Sequence, residues 1–268
     1  ELDSLFLGLN AMNVLTRWPE GYHHKVEALD DEAGAKGVTS IHDSVKSKEK
    51  NIRRFLVTDT VRKGSLVDRF IPCDETLESF VKGSCTEAGD FRGAPYGVGL
   101  LGGGAEFSRS ASVDEHTVSI TKEVLPAGKG AFSLTSTLSS PGGALAGCYY
   151  GIEFNILLPG CDGPCSSFEI TGADAALLKA GLNEPHEFVD VTAISVVDAF
   201  IGAAFSINLK RAAGRVWSAP IYTITLSEAG FERCFQGSTI LLLFPLDLTD
   251  KADEVFKMQF SLVKRASD

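Results

Sequence analysis

The sequence predicts an all-β fold, and the first observation behind this prediction is a period of two in its hydrophobic residues. Apolar and polar residues alternate strictly over residues 256–262 and 205–210, which places one face of each strand in a core and the other toward water. Clusters of Gly, Pro, Asp and Ser, such as residues 101–104 and 140–143, separate the apolar segments and are typical of turns. Long helices do not alternate with these segments, so a sandwich or barrel is favoured over a parallel α/β fold.

The same pattern predicts strands along most of the chain. In order, they cover residues 54–61, 118–122, 132–138, 149–158, 189–198, 205–210, 221–226, 239–246 and 256–262. Helical signals are few and short. One segment begins at Pro19, because proline suits the first helical position, and residues 173–180 are predicted to form a turn or two. Residues 30–51 are predicted to be a mobile surface loop. No repeat or long linker divides the chain, so residues 1–268 are predicted to form a single β-sandwich domain.

The composition excludes several classes of function. Of the 268 residues, 44% are hydrophobic and 22% are charged, which is ordinary for a chain that buries a core. The net charge is −10 and no block of Lys and Arg occurs, so a nucleic-acid partner is not expected. No apolar stretch approaches the roughly 20 residues that span a bilayer, so no membrane partner is expected either. The chain begins with Glu1 rather than Met, which predicts a processed chain or a piece of a longer one.

The cysteines and acidic loops give little sign of disulfides or bound metals. The six cysteines are too sparse for a disulfide scaffold and are interpreted as mostly free thiols in a reducing, cytoplasmic compartment: Cys73, Cys85, Cys148, Cys161, Cys165 and Cys234. Cys161 and Cys165 could bridge locally, but no second Cys/His pair at ligand spacing predicts zinc. Calcium could bind near Asp30 and Asp31 or residues 247–253, although such loops are usually only solvated. No metal ligand and no cofactor is assigned.

The segment of residues 149–158 is the most informative strand. Its alternation places an apolar set on one face and Tyr149, Glu153 and Asn155 on the other. Carboxylates and amides pair with sugar hydroxyls, and aromatic rings cover the apolar faces of sugars, so these residues are candidate carbohydrate ligands. The alternative is that Glu153 and Asn155 belong to an internal hydrogen-bond network or merely face water.

A second segment, residues 217–237, contains the remaining candidate carbohydrate-binding residues. Trp217 begins it, a turn further on includes Glu228, Glu232 and Arg233, and Gln236 enters the next strand. Two carboxylates so close together invite a glycosidase interpretation. A salt bridge or a turn-capping role beside Arg233 is the more common arrangement, and no catalytic residue is assigned.

Five segments, in order along the chain, resemble motifs of a known family. They are residues 17–23 (RWPEGYH), 40–44 with 48–49 (SIHDS and KE), 64–70 (GSLVDRF), 150–155 (YGIEFN) and 220–237 (PIYTITLSEAGFERCFQG). Together they resemble the C-terminal β-sandwich region of family-57 glycoside hydrolases, the α-amylase and 4-α-glucanotransferase type. Two positions differ from the family pattern. Arg69 stands where the family usually has His, and residues 224–225 replace its Val-Ser.

The resemblance implies a large antiparallel β-supersandwich like that of galactose-mutarotase-like domains, with a few short helices. It also implies that the chemistry of the parent enzyme belongs to an N-terminal barrel with a Glu nucleophile and an Asp acid/base, a barrel that residues 1–268 do not include. The implied partners are that barrel and an α-glucan or maltooligosaccharide.

The leading hypothesis is therefore a non-catalytic domain of an α-glucan-acting hydrolase or glucanotransferase, with a carbohydrate-facing surface around Glu153, Asn155 and Trp217. A self-standing sugar-binding domain or a mutarotase-like epimerase with Glu153 as its base is one alternative. A purely structural assembly domain, which would expose an apolar patch, is another.

Overall fold

The computed structural model describes residues 6–7, 12–13, 52, 56, 61, 63–141, 143–157, 166–172, 174, 177–228, 230–249 and 252–264. Two short strands, β1 (Phe6–Leu7) and β2 (Met12–Asn13), pair with each other. The remaining strands form one hydrogen-bonded system, and all of their pairings are antiparallel within the described residues. They are β3 (Val67–Pro72), β4 (Gly97–Leu101), β5 (Gly104–Val113), β6 (His116–Pro126), β7 (Ala131–Ser139), β8 (Cys148–Ile156), β9 (Ser166–Gly172), β10 (Leu177–Ala180), β11 (His186–Asp198), β12 (Ala203–Ser227), β13 (Gly230–Pro245) and β14 (Glu254–Lys264).

Strand β12 links two layers of this system. Its first part, from Ala203 to Leu209, pairs with β14 and so joins the row β14-β7-β6-β5-β4. Its later part, from Arg215 to Ser227, pairs with β13 and so joins the row β13-β8-β3. A strand of 25 residues is long enough to take part in both rows.

Aromatic contacts show that the two rows pack face to face. Tyr150 on β8 lies 5.0 Å, between ring centroids, from Phe256 on β14. Phe154 on β8 makes a similar contact at 5.8 Å with Phe260 on β14. Strands β8 and β14 are not hydrogen-bonded neighbours, so these contacts cross between the layers. This arrangement confirms the predicted all-β, antiparallel sandwich.

The row that contains β8 is buried on both faces. Its inner face, with Tyr150, Ile152 and Phe154, belongs to the main core. Its outer face holds a second apolar cluster that includes Trp217 and Leu241, and the helix α1 (Leu77–Val81) lies against it through Leu77 and Phe80. A strand row buried on both sides explains why polar residues of β8 are also enclosed.

The predicted strands from residue 118 onward coincide with described ones, namely β6, β7, β8, β11, β12, β13 and β14, and the segments 205–210 and 221–226, predicted as two strands, belong to the single strand β12. The described strands β1 to β5 and β9 were not predicted, and Leu56 and Val61 of the predicted strand 54–61 are not in a strand. One helical prediction is also wrong: residues 177–180, expected to be helical, form β10 and pair with β9. Ala, Leu and Lys favour helices intrinsically, but strand pairing overrides this weak preference. Helix α1 was not predicted, because its five residues are too few to show a period; Thr76 begins it with a capping box to Ser79. The predicted helix at Pro19, the loop 30–51 and most of the strand 54–61 lie outside the described residues.

Candidate functional site

A cavity of about 540 Å³ opens on the outer face of the row β13-β8-β3. Its apolar wall includes Phe80, Pro220 and Tyr222. Its polar lining includes Asn183, Thr239 and five cationic side chains, and within the described residues no carboxylate lines it. The cations are Lys63, Arg69, Lys82, Arg92 and Arg233. We call this cavity the basic pocket.

Several elements, distant in sequence, bring these side chains together. Arg69 lies on β3, and Phe80 lies on α1. Tyr222 lies on β12, while Arg233 lies on the paired strand β13, two residues along from the partner of Tyr222. The Arg233 guanidinium therefore stacks over the Tyr222 ring, 4.3 Å from its centroid.

Arg69 and Glu153 form a buried ion pair beside the pocket. The Arg69 Nη1 atom donates to Glu153 Oε2 at 2.9 Å, and the side chains of both residues are only 3% exposed. The Arg69 Nε atom also donates to Glu87 Oε1 at 2.7 Å. A small neighbour permits this arrangement, since Gly151 lies opposite Arg69 in the β3–β8 pairing and a Cβ there would come within 3.2 Å of the Arg69 Cβ.

Burial and the same contacts shift the pKa values of Glu153 and Glu87 in opposite directions. Burial alone would raise the pKa of Glu153, but attraction by Arg69, Lys63 and Arg92 and a hydrogen bond from Asn155 lower it to about 2. Burial raises the pKa of Glu87, and the attraction of Arg69 only partly offsets this effect. Burial would lower the pKa of the Arg69 guanidinium, but Glu153 and Glu87 together raise it. Glu153 is therefore ionised at neutral pH.

Asn155 completes a closed hydrogen-bond network. Its Nδ2 atom donates to Glu153 Oε1 at 2.8 Å and to the Gly64 carbonyl at 2.6 Å. Its Oδ1 atom accepts from the hydroxyl of Thr239 at 2.6 Å. The Ser65 hydroxyl accepts from the Asn155 backbone N–H at 2.9 Å. These contacts occupy both Glu153 oxygens and the whole Asn155 amide, so the internal-network interpretation of the strand is the one observed.

The prediction that Glu153, Asn155 and Trp217 form an exposed surface is therefore wrong. Glu153 is 2% exposed, and Asn155 and Trp217 are fully buried. The Trp217 indole N–H donates to Glu187, and its ring lies 5.8 Å from that of Phe80. Each of the three side chains contacts a residue that lines the pocket. Glu153 contacts Arg69, Asn155 contacts Thr239, and Trp217 contacts Phe80. The reason is that both faces of this strand row are covered, which an alternating pattern alone does not reveal.

The other predicted site residues are dispersed. Tyr149 is half-buried on the outer face, with the Arg215 guanidinium 5.6 Å from its ring centroid. Glu228 is exposed in the turn between β12 and β13, whereas Glu232 is half-buried on β13. Gln236 is half-buried and its Nε2 atom donates to the Cys234 sulfur. Arg233 alone among the eight candidates lines the basic pocket.

The pocket contains residues that the sequence pattern did not single out. Lys63 and Arg92 lie in irregular segments, Tyr222 looked like an ordinary strand residue, and Phe80 belongs to the missed helix. Arg69 did stand out, as the departure from the family motif. The capping pattern Thr76-x-x-Ser79 was the available signal for α1.

The described residues show no metal centre and no helix suited to a membrane. Among them, no group of three or more His, Cys, Asp or Glu side chains could hold a metal ion. Asp30 and Asp31 fall outside the described residues, as do 250 and 251 of the second candidate calcium loop. Cys73, Cys85, Cys148 and Cys234 are free thiols. No described helix is long and apolar enough to cross a bilayer.

Fold and pocket define a class of protein: an antiparallel β-sandwich with a ligand-sized cavity on an outer sheet face. The family model described as "Alpha-amylase/4-alpha-glucanotransferase, C-terminal" matches residues 1–259, and the chain belongs to this family. This confirms the resemblance inferred from the five motifs.

Individual relatives agree with the family assignment. The chain is 30% identical, over 247 residues, to a 4-alpha-glucanotransferase of Thermococcus kodakarensis, covering 92% of this chain and 34% of that protein. It is 29% identical to an alpha-amylase of Pyrococcus abyssi, with the same coverage. The crystal structure of the 4-alpha-glucanotransferase from Thermococcus litoralis superposes with a TM-score of 0.73 at 25% identity, covering 97% of this chain and 36% of that one. The chain thus spans about a third of the length of these relatives.

Proposed function

We propose that this chain is a non-catalytic C-terminal β-domain of an α-glucan-acting hydrolase or 4-α-glucanotransferase, which supports a catalytic barrel and contacts the glucan. Membership of the family and the names of its relatives support the parent activity. The observation that favours glucan contact is the basic pocket. We also propose a cytoplasmic location, which the four described free thiols support.

The lining of the basic pocket suits a sugar. Its volume of about 540 Å³ falls within the range of ordinary small-molecule sites. Phe80 and Tyr222 offer aromatic surface for the apolar face of a pyranose. The Asn183 amide can both donate to and accept from sugar hydroxyls.

The same geometry argues against acid/base chemistry by Glu153. A general acid or base works best when its pKa lies near the operating pH, and that of Glu153 is lowered to about 2. Both of its oxygens already accept hydrogen bonds, from Arg69 and Asn155. Neither of the two described histidines, His116 and His186, lines the pocket. The non-catalytic role is therefore favoured over the mutarotase-like epimerase.

Titration with maltooligosaccharides tests glucan contact. Trp217 packs on the pocket residue Phe80, so its fluorescence should respond when sugar binds. We expect a saturable change at millimolar maltotriose, together with NMR shifts, and we expect both to be lost in Tyr222→Leu. Phe200→Leu is the matched control, because Phe200 is 81% exposed and does not line the pocket.

Two results would count against the proposal. If millimolar sugar gives neither a fluorescence change nor an NMR shift, the domain does not contact glucan by itself and a structural role remains. If fresh α-glucose reaches its anomeric equilibrium faster in the presence of the protein, as polarimetry would show, the domain is an epimerase rather than a non-catalytic unit.

A further inference from the structure

We propose that this chain forms a two-fold symmetric dimer in which strand β4 pairs antiparallel with β4 of a second copy. β4 lies at one end of the strand order, and among the described strands only β5 pairs with it. Its first four residues are exposed, and Leu100 is 91% exposed. Such an edge strand presents N–H and C=O groups that another strand can pair with. The interface lies apart from the basic pocket and is independent of the proposed function.

β4 lacks the features that usually protect a sheet edge. Its five residues, Gly97–Leu101, have the sequence GVGLL and include no charged residue and no proline. The opposite edge differs, because β10 includes Lys179, whose side chain is 63% exposed and pairs with Glu169 at 3.1 Å. Pairing of β4 with β10 of another copy would leave one edge free at each end and continue into an open chain, whereas pairing of β4 with itself closes after two copies.

The length of β4 selects one register for this pairing. All five residues are paired only when the two-fold axis passes beside Gly99, the middle residue. In that register Gly99 faces Gly99 of the second copy, and Val98 faces Leu100 of the second copy.

The backbone of the β4–β5 hairpin favours the same register. Two residues join the strands, and the closing pair of such a hairpin, here Leu101 and Gly104, is hydrogen-bonded. Hydrogen-bonded and non-hydrogen-bonded pairs alternate along antiparallel strands, so the N–H and C=O groups of Val98 and Leu100 point away from β5. These are the residues that face each other across the axis, so each Val98–Leu100 pair can exchange both of its N–H···O bonds.

The side chains of β4 also suit an apolar interface. Val98 and Leu100 lie on the same face as their β5 partners, Phe107 and Ala105, which line a mainly apolar cavity of about 220 Å³. Val124, the β6 partner of Ala105, packs against the main core. The apolar inner face of the sheet therefore continues to the β4 edge. Placing Val98 beside Leu100 of the second copy removes apolar surface from water and forms a stabilising cross-strand pair.

The opposite face of β4 keeps like charges of the two copies apart. The net charge of each chain is −10, and the β5 partner of Gly99 is Glu106. Because Gly99 has no side chain, the two Glu106 residues are separated by three strand spacings, roughly 14 Å. This separation exceeds the Debye length of about 8 Å at physiological ionic strength. Salt screens the remaining repulsion between two acidic chains, so we expect it to strengthen the dimer.

Disulfide trapping tests the register. The Cα atoms of a non-hydrogen-bonded pair lie about 4.5 Å apart, which a disulfide can span. We therefore expect two copies of Gly99→Cys to cross-link under a mild oxidant, and a Cβ there makes only ordinary contacts, the nearest at 3.8 Å. In this register position 98 lies more than about 7 Å from position 98 of the second copy, so we expect Val98→Cys to cross-link at least about tenfold more slowly. Mixing Val98→Cys with Leu100→Cys should restore rapid cross-linking.

Controls separate the designed cross-link from other disulfides and from misfolding. The wild-type chain, with its own six cysteines, measures the background cross-linking. Peptide mass spectrometry identifies which residues are joined, and circular dichroism melting curves establish that each variant is folded.

Sedimentation equilibrium of the full wild-type chain measures the dimer itself. We expect a single monomer–dimer equilibrium that tightens as salt is added, and we expect Leu178→Lys, at the opposite edge on β10, to leave it unchanged. A chain that stays monomeric at millimolar concentration overturns the inference. Species that keep growing with concentration also overturn it, because they indicate open pairing of β4 with β10. Equal cross-linking of Gly99→Cys and Val98→Cys overturns it too, because it reflects random collision rather than one register.

Discussion

At the scale of single residues, Arg69 is the centre of the site's electrostatics. Its side chain is 3% exposed, and its guanidinium contacts two carboxylates and links the outer face of β3 to β8. The neighbouring Asp68 points the other way, into the main core. The side chains of Asp68 and Arg69 thus point to opposite faces of β3, because successive side chains in a strand alternate between its faces.

We expect Glu153→Gln to lower the free energy of unfolding by about 3 kcal/mol near neutral pH, since it removes one partner of a buried ion pair. Urea denaturation measures this change. Glu78→Gln is the control, because Glu78 and Lys82 form an exposed pair and its loss should have little effect.

The pH dependence of stability should reveal the same carboxylate. The pKa of Glu153 falls from an ordinary 4.5 to about 2 on folding, so its contribution is complete above about pH 4.5 and is lost as pH falls toward 2. We expect the wild-type chain to lose more stability over this interval than Glu153→Gln does. If the free energy of unfolding falls by the same amount in both proteins over this pH interval, Glu153 makes no such contribution.

At the scale of elements, a buried ion pair joins the two layers of the sandwich. The Lys122 ammonium on β6 lies 2.7 Å from the Asp68 carboxylate on β3, with both side chains almost fully buried. Asp68 also accepts a hydrogen bond from Tyr150 at 2.7 Å, and Lys122 donates to the Leu66 carbonyl at 2.7 Å. The layers are therefore held in register by polar contacts as well as by aromatic packing.

We expect Asp68→Asn to cost about 3 to 5 kcal/mol of stability, because it leaves the Lys122 ammonium buried without its counter-charge. Adding Lys122→Met should recover much of this loss. A double-mutant cycle from denaturant unfolding measures the coupling, which we expect to reach about 2 kcal/mol. Strictly additive effects would show that the two charges do not stabilise one another.

The pairing of β13 with β8 depends on a glycine. A Cβ at Gly237 would lie 2.0 Å from the carbonyl oxygen of Ile156, which is backbone and cannot rotate away. We expect Gly237→Ala to cost about 2 kcal/mol or more, seen as a melting temperature about 5 °C lower. Gly102→Ala is the control, since a Cβ there meets nothing within 4 Å; a similar loss in both variants would contradict the steric explanation.

At the scale of the whole molecule, the two ends of the strand order expose apolar side chains. Leu100 on β4 is 91% exposed, and Leu177 and Leu178 on β10 are more than half exposed. Strands at sheet edges can pair with other chains, and exposed apolar residues strengthen that tendency. The structural assembly hypothesis predicts a large exposed apolar patch, and measuring self-association tests whether the leucines at these edges contribute to one.

We expect the chain to self-associate with rising concentration and Leu100→Lys to weaken this association without changing the melting temperature. Sedimentation velocity measures the effect. Asn208→Lys adds the same charge at an exposed position on the central strand β12, so it controls for net charge. Equal reduction by both variants would point to charge rather than to the β4 edge.

Local pattern was enough to predict about half of the described strands, but it did not predict the arrangement of the site. The alternation in β8 correctly separated Tyr150, Ile152 and Phe154 from Glu153 and Asn155, because side-chain direction in a strand is a local property. It did not show that the polar face is covered. That depends on α1 and on Trp217, which reach this face from elsewhere in the chain.

By itself the sequence determined the all-β class, the positions of about half of the described strands and the family, because the strand period and the order of the motifs are local properties of the chain. Only the tertiary structure decided that Arg69 meets Glu153, 84 residues away, and that Tyr222 and Arg233 share a pocket with Lys63 and Arg92. It also decided that Trp217 is buried rather than presented to a sugar. The physical reason is that burial and ion pairing depend on which surfaces meet across the sandwich, and that is set by strand order and register.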